Sequence, residues 1–316
     1  MTTSVVASAF GGPEVLSVLD GPAPNLVAGE VRIEVHASGT NPVDYKLYSG
    51  SFGTDVSQLP IRLGSEVAGL VIEAADGVEG PSGPISVGDE VIGYRVTGGY
   101  ATEIVVAASS VVAKPEVLSY EEAGGLMLTG TTAVHTLTAT GVGRGDTVVV
   151  HAAAGGVGMM VVQLAVERGA RVIGTASEGR HPLLAQLGAE PVSYGAGLVD
   201  RIRGLAPDGV DAAIDAVGSD EAIDASLDVV ADRSRIATIA AFGRGPSLGI
   251  KVLGGGPGAD PGTAIRDAAR LELVSLAGAG KLQVVVVART YPLREAAAAH
   301  RELAGGHTHG KIILVS

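Results

Sequence analysis

The octet His151-Ala152-Ala153-Ala154-Gly155-Gly156-Val157-Gly158 limits the possible folds of this chain more than any other stretch. It follows an apolar run, Asp146 to Val150, that reads as a strand. It opens an apolar helical pattern, Val157 to Arg168, after which Gly169-Ala170 leads into a second strand, Arg171 to Thr175. Strand, glycine-rich turn, helix and strand in this order make one βαβ unit, and such a crossover requires parallel strands. A turn of this kind can cradle phosphate. Gly155 carries no Cβ to block a pyrophosphate, Gly158 lets the helix approach the strand, and the helix N-terminus offers unpaired N–H groups at a positive dipole end. Ala153 stands where the first glycine of G-x-G-x-x-G is expected, which alanine tolerates while φ stays negative. Ala154, Gly155, Gly156 and Val157 are therefore the expected lining of a dinucleotide site. Without the flanking strand and helix, the same residues would be one more turn in a chain with 47 glycines among 316 residues.

The alternation spreads outward from this unit. Helical patterns at Pro182–Leu187 and Leu198–Leu205 precede strand patterns at Pro191–Tyr194 and Gly209–Ala216, and Arg235–Ala240 reads as a further strand. Strands alternating with helices predict a doubly wound parallel sheet, an α/β Rossmann domain. Upstream the texture differs. Val31-Arg32-Ile33-Glu34-Val35-His36 alternates apolar and polar residues, and Val67–Glu73, Glu90–Tyr94 and Ala101–Val106 are short runs between glycine-containing turns, so residues 1 to about 115 read as a small barrel or sandwich. Ser119-Tyr120-Glu121-Glu122 is a capping-box pattern that opens a helical segment through Leu126, and another helical segment runs from Gly130 to Ala139. Near the end, a helix over Pro261–Ala277, a strand over Leu282–Ala288, a helix over Pro292–Leu303 and a strand over Lys311–Val315 are expected, with Gly254–Gly258 as a loop. Apolar residues make up 46% of the chain, enough for packed cores built of Val, Ala, Leu and Ile, since Phe numbers 3 and Trp 0. A net charge of −12 disfavours nucleic acid and anionic membranes as partners. The absence of Cys removes disulfides and thiolate metal ligands, and no apolar run approaches membrane-spanning length, so a cytoplasmic protein is expected.

Motifs along the whole length carry a resemblance. Ser38-Gly39-Thr40-Asn41-Pro42-Val43-Asp44-Tyr45-Lys46, Gly64-Ser65-Glu66-Val67-Ala68-Gly69, Val87-Gly88-Asp89-Glu90-Val91, Thr129-Gly130-Thr131-Thr132-Ala133, the glycine-rich turn and Gly310-Lys311 follow one another at matching spacings. In these the chain resembles the medium-chain dehydrogenase/reductase superfamily, within it the zinc-independent NADPH:quinone oxidoreductases and enone reductases. The resemblance implies a GroES-like, β-rich catalytic domain (1–117 and 282–316) around a Rossmann dinucleotide-binding domain (118–281). It also implies a substrate cleft between them and a homodimer. In the zinc alcohol dehydrogenases of the superfamily, metal ligands fall at positions matching Asn41, Ser65 and Gly125; none of these is Cys or His, so no catalytic zinc is expected. His307-Thr308-His309 reads as solvated surface rather than a metal pair.

The resemblance also sets expectations for cofactor and chemistry. An NAD-selective site places Asp or Glu at the end of the second strand to hold the ribose 2′-OH. Here that register falls on Ser177, with Arg180 close behind, and a hydroxyl plus a guanidinium suit a 2′-phosphate. NADPH is thus the expected cofactor, with NADH the lesser alternative because Glu178 lies one residue off register. A helix-capping Ser177 and a solvated Arg180 form the plain competing reading. Tyr194 matches a tyrosine near the adenosine phosphate of related reductases, Thr129 a threonine beside the nicotinamide ribose, and Ala216 and Val217 are expected to offer backbone contacts. For chemistry, Asn41 is expected to donate its amide to a developing oxyanion, and Lys46 to polarise a carbonyl and give a proton. Phe52 stands where many relatives carry a tyrosine proton donor, and Tyr45 and Tyr48 are both out of register with it. The expected function is NADPH-dependent, zinc-free hydride transfer to a quinone or to the C=C of an α,β-unsaturated carbonyl. The alternatives are a non-catalytic, crystallin-like NADPH-binding protein and a biosynthetic enoyl reductase with one specialised substrate.

Overall fold

In a computed structural model, residues 1–284, 290–306 and 310–316 are described. The chain divides into two compact units, one of residues 1–128 and 270–316, the other of residues 129–269. These limits fall inside the helices Met127–Ala139 and Thr263–Gly278, whereas the limits drawn from sequence lie at 117/118 and 281/282.

The second unit holds a six-stranded parallel sheet in the order Ala189–Ser193, Arg171–Ala176, Thr147–His151, Ala212–Asp215, Ile236–Thr238 and Lys251–Val252. The first three strands step outward in one direction, and the chain then returns to build on the other side of Thr147–His151. That reversal is the topological switch point, outside whose carboxyl edge ligands bind in open α/β sheets. The helices Leu198–Leu205 and Asp220–Val229 deliver Leu198, Ile202 and Ile223 onto Val149, Ile173, Val192, Ala213 and Ile236, all buried. Branched aliphatics fill this core in place of the scarce aromatics. The helix Asp220–Val229 escaped the sequence reading, although Ser219 caps it by accepting from the Ala222 N–H and Asp220 and Glu221 occupy its first turn.

The first unit is built on a seven-stranded sheet centred on the long strand Glu30–Gly39, which pairs antiparallel with Glu66–Ala74 on one side. On the other side its amino half pairs with Glu103–Ala107 and its carboxyl half with Ile313–Val315, in the register Ile313↔Gly39, Leu314↔Ser38 and Val315↔Ala37. The last strand of the chain thus completes the sheet begun near its start, as the resemblance implied. Alternation along Val31, Ile33 and Val35 buries one face with Val67, Val71, Val91 and Ile104. The expected strand Leu282–Ala288 has no strand over 282–284, and its residues 285–288 lie outside the described residues, as do His307 and His309. Asn41-Pro42, readable as a simple turn, instead opens a helix, Pro42–Tyr48.

Candidate active site

The strand Thr147–His151 ends in the glycine-rich turn, and Gly155 is the N-cap of the helix Gly156–Glu167. Ala152 bears the turn's unusual conformation, with φ of 55°. Ala153, at the first-glycine position, stays outside the positive-φ region, and its N–H donates to the Thr175 carbonyl at 3.0 Å. Gly158 is obligatory, because a Cβ there would stand 2.2 Å from the Ala152 carbonyl oxygen. At Gly155 a Cβ would meet only that same oxygen, at 3.3 Å. The N-cap of Gly155 has no side chain to satisfy the first helical N–H groups, which leaves Gly156 and Val157 N–H pointing off the helix end.

The ends of the two strands that flank Thr147–His151, and of the strand Ala189–Ser193 beyond Arg171–Ala176, carry Ser177, Ala216, Val217 and Tyr194. Ser177 and Tyr194 each follow their strand by one residue, and the last rung between those strands is Ala176↔Ser193, so the two sit side by side at the sheet edge. Ser177 is exposed and takes the N-cap position of the short 3₁₀ turn Glu178–Arg180 without a side-chain capping bond, and Arg180 ends that turn. Beyond Ala212–Asp215, the buried Asp215 carboxylate accepts from Val217 N–H at 3.0 Å, from Gly218 N–H at 2.9 Å and from Thr238 Oγ1–H at 2.6 Å, and Ala216 N–H reaches the His151 carbonyl at 3.4 Å. These N–H groups are engaged internally, so Ala216 and Val217 can offer a ligand carbonyl oxygens and the half-exposed Val217 side chain. Thr129 is buried on the helix Met127–Ala139. His151 is fully buried, and that burial pushes its imidazole down to about 4, so it is neutral at physiological pH.

In the first unit, Asn41 caps the helix Pro42–Tyr48 in a capping box with Asp44, whose carboxylate accepts the Asn41 N–H at 2.8 Å. The Asn41 side chain is 1% exposed. Its Nδ2 donates to Glu66 Oε1 at 3.0 Å and to the Gly39 carbonyl at 3.3 Å, and its Oδ1 accepts from Lys311 Nζ at 2.6 Å. Lys311 also donates to Glu66 Oε1 at 2.8 Å and to the Thr40 carbonyl at 3.0 Å, which makes a buried ion pair. The expected role of Asn41 as a direct oxyanion donor is corrected by this geometry, since both amide hydrogens are spent inside the cluster. Lys46, on the same helix, is half-buried, and desolvation holds its ammonium below the usual lysine range. Behind the helix runs a chain of buried groups. Tyr100 Oη–H donates to Asp44 Oδ2 at 2.9 Å, and the two nitrogens of His300 lie 3.0 Å from Tyr100 Oη and 2.8 Å from Tyr48 Oη. Because Tyr100 gives its proton to Asp44, it accepts from His300 Nε2–H, and His300 Nδ1 then accepts from Tyr48. Burial holds His300 neutral by pushing it down to about 4, and pushes Asp44 up to about 6. None of Glu66, Lys311, Tyr100 or His300 was singled out from the sequence; Glu66 and Lys311 at least lie in quoted motifs.

Two family models match this chain, the alcohol dehydrogenase GroES-like domain over residues 27–116 and the zinc-binding dehydrogenase domain over residues 187–314. A quinone oxidoreductase of Mus musculus is 31% identical across 97% of this chain and 95% of its own length. The chain belongs to the quinone oxidoreductase branch of the medium-chain dehydrogenase/reductases. Another quinone oxidoreductase, from Pseudomonas aeruginosa, is 34% identical with both chains fully covered. The solved structure of Escherichia coli quinone oxidoreductase complexed with NADPH superposes with a TM-score of 0.85 at 28% identity, covering 99% of this chain and all of that one. Within this branch, the residues at the zinc positions of the wider superfamily are informative. The Asn41 amide is engaged by Glu66 and Lys311, and Gly125 has no side chain, a Cβ there meeting the Lys311 stem at 3.2 Å. Between them the cation in place is the Lys311 ammonium, and this donor set does not fit a catalytic zinc. Among the described residues, no three His, Cys, Asp or Glu side chains group as a metal site, and no helix is long and apolar enough to cross a membrane. Tyr48 cannot replace the tyrosine that Phe52 displaces, because its hydroxyl is buried against His300.

Proposed function

We propose that this quinone oxidoreductase relative is an NADPH-dependent, zinc-free reductase that delivers hydride to a quinone or to the β-carbon of an enone. The observation that carries the reading is the adjacency of Ser177 and Tyr194, with Arg180 close behind, beside the glycine-rich turn at the switch point of the sheet. The NADPH complex of the E. coli relative supports it. Bound NADPH supplies a hydride to an acceptor. The helix N-terminus at Gly155–Val157 would hold the pyrophosphate, and the Ser177 hydroxyl with the Arg180 guanidinium the 2′-phosphate.

The chain's own residues must then stabilise the negative charge that the acceptor oxygen gains and give it a proton. Lys46 suits both tasks. Its ammonium is a local positive charge, and desolvation eases release of its proton. Asn41, fixed by Glu66, Lys311 and Asp44, sets the first turn of the helix that carries Lys46, which makes it a positioning residue. The decisive experiment compares kcat/KM for NADPH and NADH with a panel of quinones and enones, in wild type and Arg180→Ala. Loss of a charge-assisted contact to the 2′-phosphate should lower kcat/KM for NADPH by roughly 10- to 100-fold and leave NADH unchanged. Equal losses with both cofactors would remove the 2′-phosphate role, and no turnover with any acceptor would remove the reductase reading.

A further inference from the structure

Tyr194 is a large aromatic with 60% of its surface exposed, the first residue of the connection between the strand Ala189–Ser193 and the helix Leu198–Leu205. Gly195 and Gly197 follow it with φ of 96° and 81°. A glycine-rich connection of this kind would ordinarily sample many conformations. Here its carbonyls turn inward and one side chain collects them. Arg201 Nε and Nη2 donate to the Ser193 carbonyl at 3.1 and 2.8 Å, Nη2 also to that of Gly195 at 2.9 Å, and Nη1 to that of Ala196 at 2.8 Å. From the other side, the Gly195 N–H donates to Glu221 Oε2 at 3.1 Å. The planar guanidinium is pre-organised for such a fan of acceptors. With its donors aimed into the loop, Arg201 is engaged by backbone rather than by a phosphate.

We propose that Arg201 is a positioning residue for the adenosine end of the cofactor: it locks residues 193–196 so that Tyr194 stands out beside Ser177 as a pre-formed platform for the adenine base and the ribose 2′-phosphate. This rests on the NADPH reading above and adds to it the residue that orders the platform before the ligand arrives. The order is set during folding, so it need not be supplied at binding, and binding is tighter for it. Lysine cannot reproduce the arrangement, because a single ammonium does not span three carbonyls in a plane.

The test is a double-mutant cycle on NADPH affinity, read by the change in cofactor fluorescence on binding, with Arg201→Ala, Arg201→Lys, Tyr194→Ala and Arg201→Ala/Tyr194→Ala. Arg201→Ala should weaken NADPH binding about tenfold, within the range coupled neighbours show, while kcat at saturating NADPH changes less than about twofold. Arg201→Lys should fall between. In the Tyr194→Ala background, Arg201→Ala should cost less than about twofold, since no platform remains to be held. A loss of the same size in both backgrounds would overturn the proposal in favour of a direct charge effect, and an unchanged affinity in Arg201→Ala would overturn it outright. Should Arg201→Ala fail to fold, Arg201→Lys completes the same cycle. Wild type that binds no NADPH would fail the cofactor reading itself, whereas wild type that binds it with an indifferent Arg201 fails only the inference.

Discussion

Asp44→Asn should change how stability depends on pH, and the size of the change follows from burial. The Asp44 carboxyl is 1% exposed and lies against Tyr100, Asn41, Lys311 and Glu66; desolvation is the largest influence on it, raising its pKa from the ordinary 3.8 to about 6. A rise of that size corresponds to about 3 kcal/mol. Below pH 3.8 the folded and unfolded chains both hold the proton. Between there and pH 6 the unfolded chain releases it while the folded chain keeps it, so this stabilisation fades as pH rises and is gone above about 6. Asparagine is uncharged throughout, and its Oδ1 can still accept from Asn41 N–H and Tyr100 Oη–H. The stability of Asp44→Asn relative to wild type should therefore increase by about 2 to 3 kcal/mol between pH 4 and pH 8, measured by urea unfolding followed by circular dichroism. His300→Gln should do the reverse. Burial pushes His300 from 6.5 down to about 4, so its contribution is present above pH 6.5 and is lost as pH falls to about 4. The two groups share one hydrogen-bonded chain and offset each other, so wild type should show a shallower pH profile than either variant. A difference between Asp44→Asn and wild type that stays flat within about 0.5 kcal/mol across this range would refute the reasoning.

Gly158→Ala would force a Cβ to within 2.2 Å of the Ala152 carbonyl oxygen, so NADPH affinity measured by fluorescence titration should fall at least about tenfold, and the unfolding midpoint should fall with it. Lys46→Ala should lower kcat more than it weakens NADPH binding, and an unchanged kcat in steady-state assays would remove Lys46 from the mechanism. Lys311→Met leaves the buried Glu66 carboxylate without its ammonium and should cost about 3 to 5 kcal/mol of unfolding free energy, much of it recovered in Lys311→Met/Glu66→Gln.

The parts of this fold that announce themselves in sequence are those set by local chemistry. The glycine-rich turn, the helix Leu198–Leu205 and the strand Glu90–Tyr94 lie where periodicity and turn residues put them. The helix Pro42–Tyr48 carried its own signals, Asn41 as cap, Pro42 at the first position and Asp44 at the third, but seven residues present too little periodicity to mark a helix. The buried cluster was opaque for another reason. Asn41 and Lys311 stand 270 residues apart, and Tyr48 and His300 stand 252 apart. No local pattern joins such partners: Lys311 reaches Asn41 where Ile313–Val315 pairs with Glu30–Gly39, and His300 reaches Tyr48 where the helix Ala296–Ala304 packs on Pro42–Tyr48. Hence Asn41, picked out as a polar side chain free to act on an acceptor, proved to be one of several hands on a single lysine.

That terminal pairing bears on biosynthesis. Residues 129–269 form a unit contiguous in sequence, whose strands can pair as they leave the ribosome, whereas the cluster around Asn41 waits for Lys311. Until then, Glu66 is a carboxylate without its counter-ion on an unfinished sheet. A product truncated before residue 311 would keep the contiguous unit of residues 129–269 while lacking the Lys311 ammonium that holds Asn41 and the strand that pairs with Glu30–Gly39.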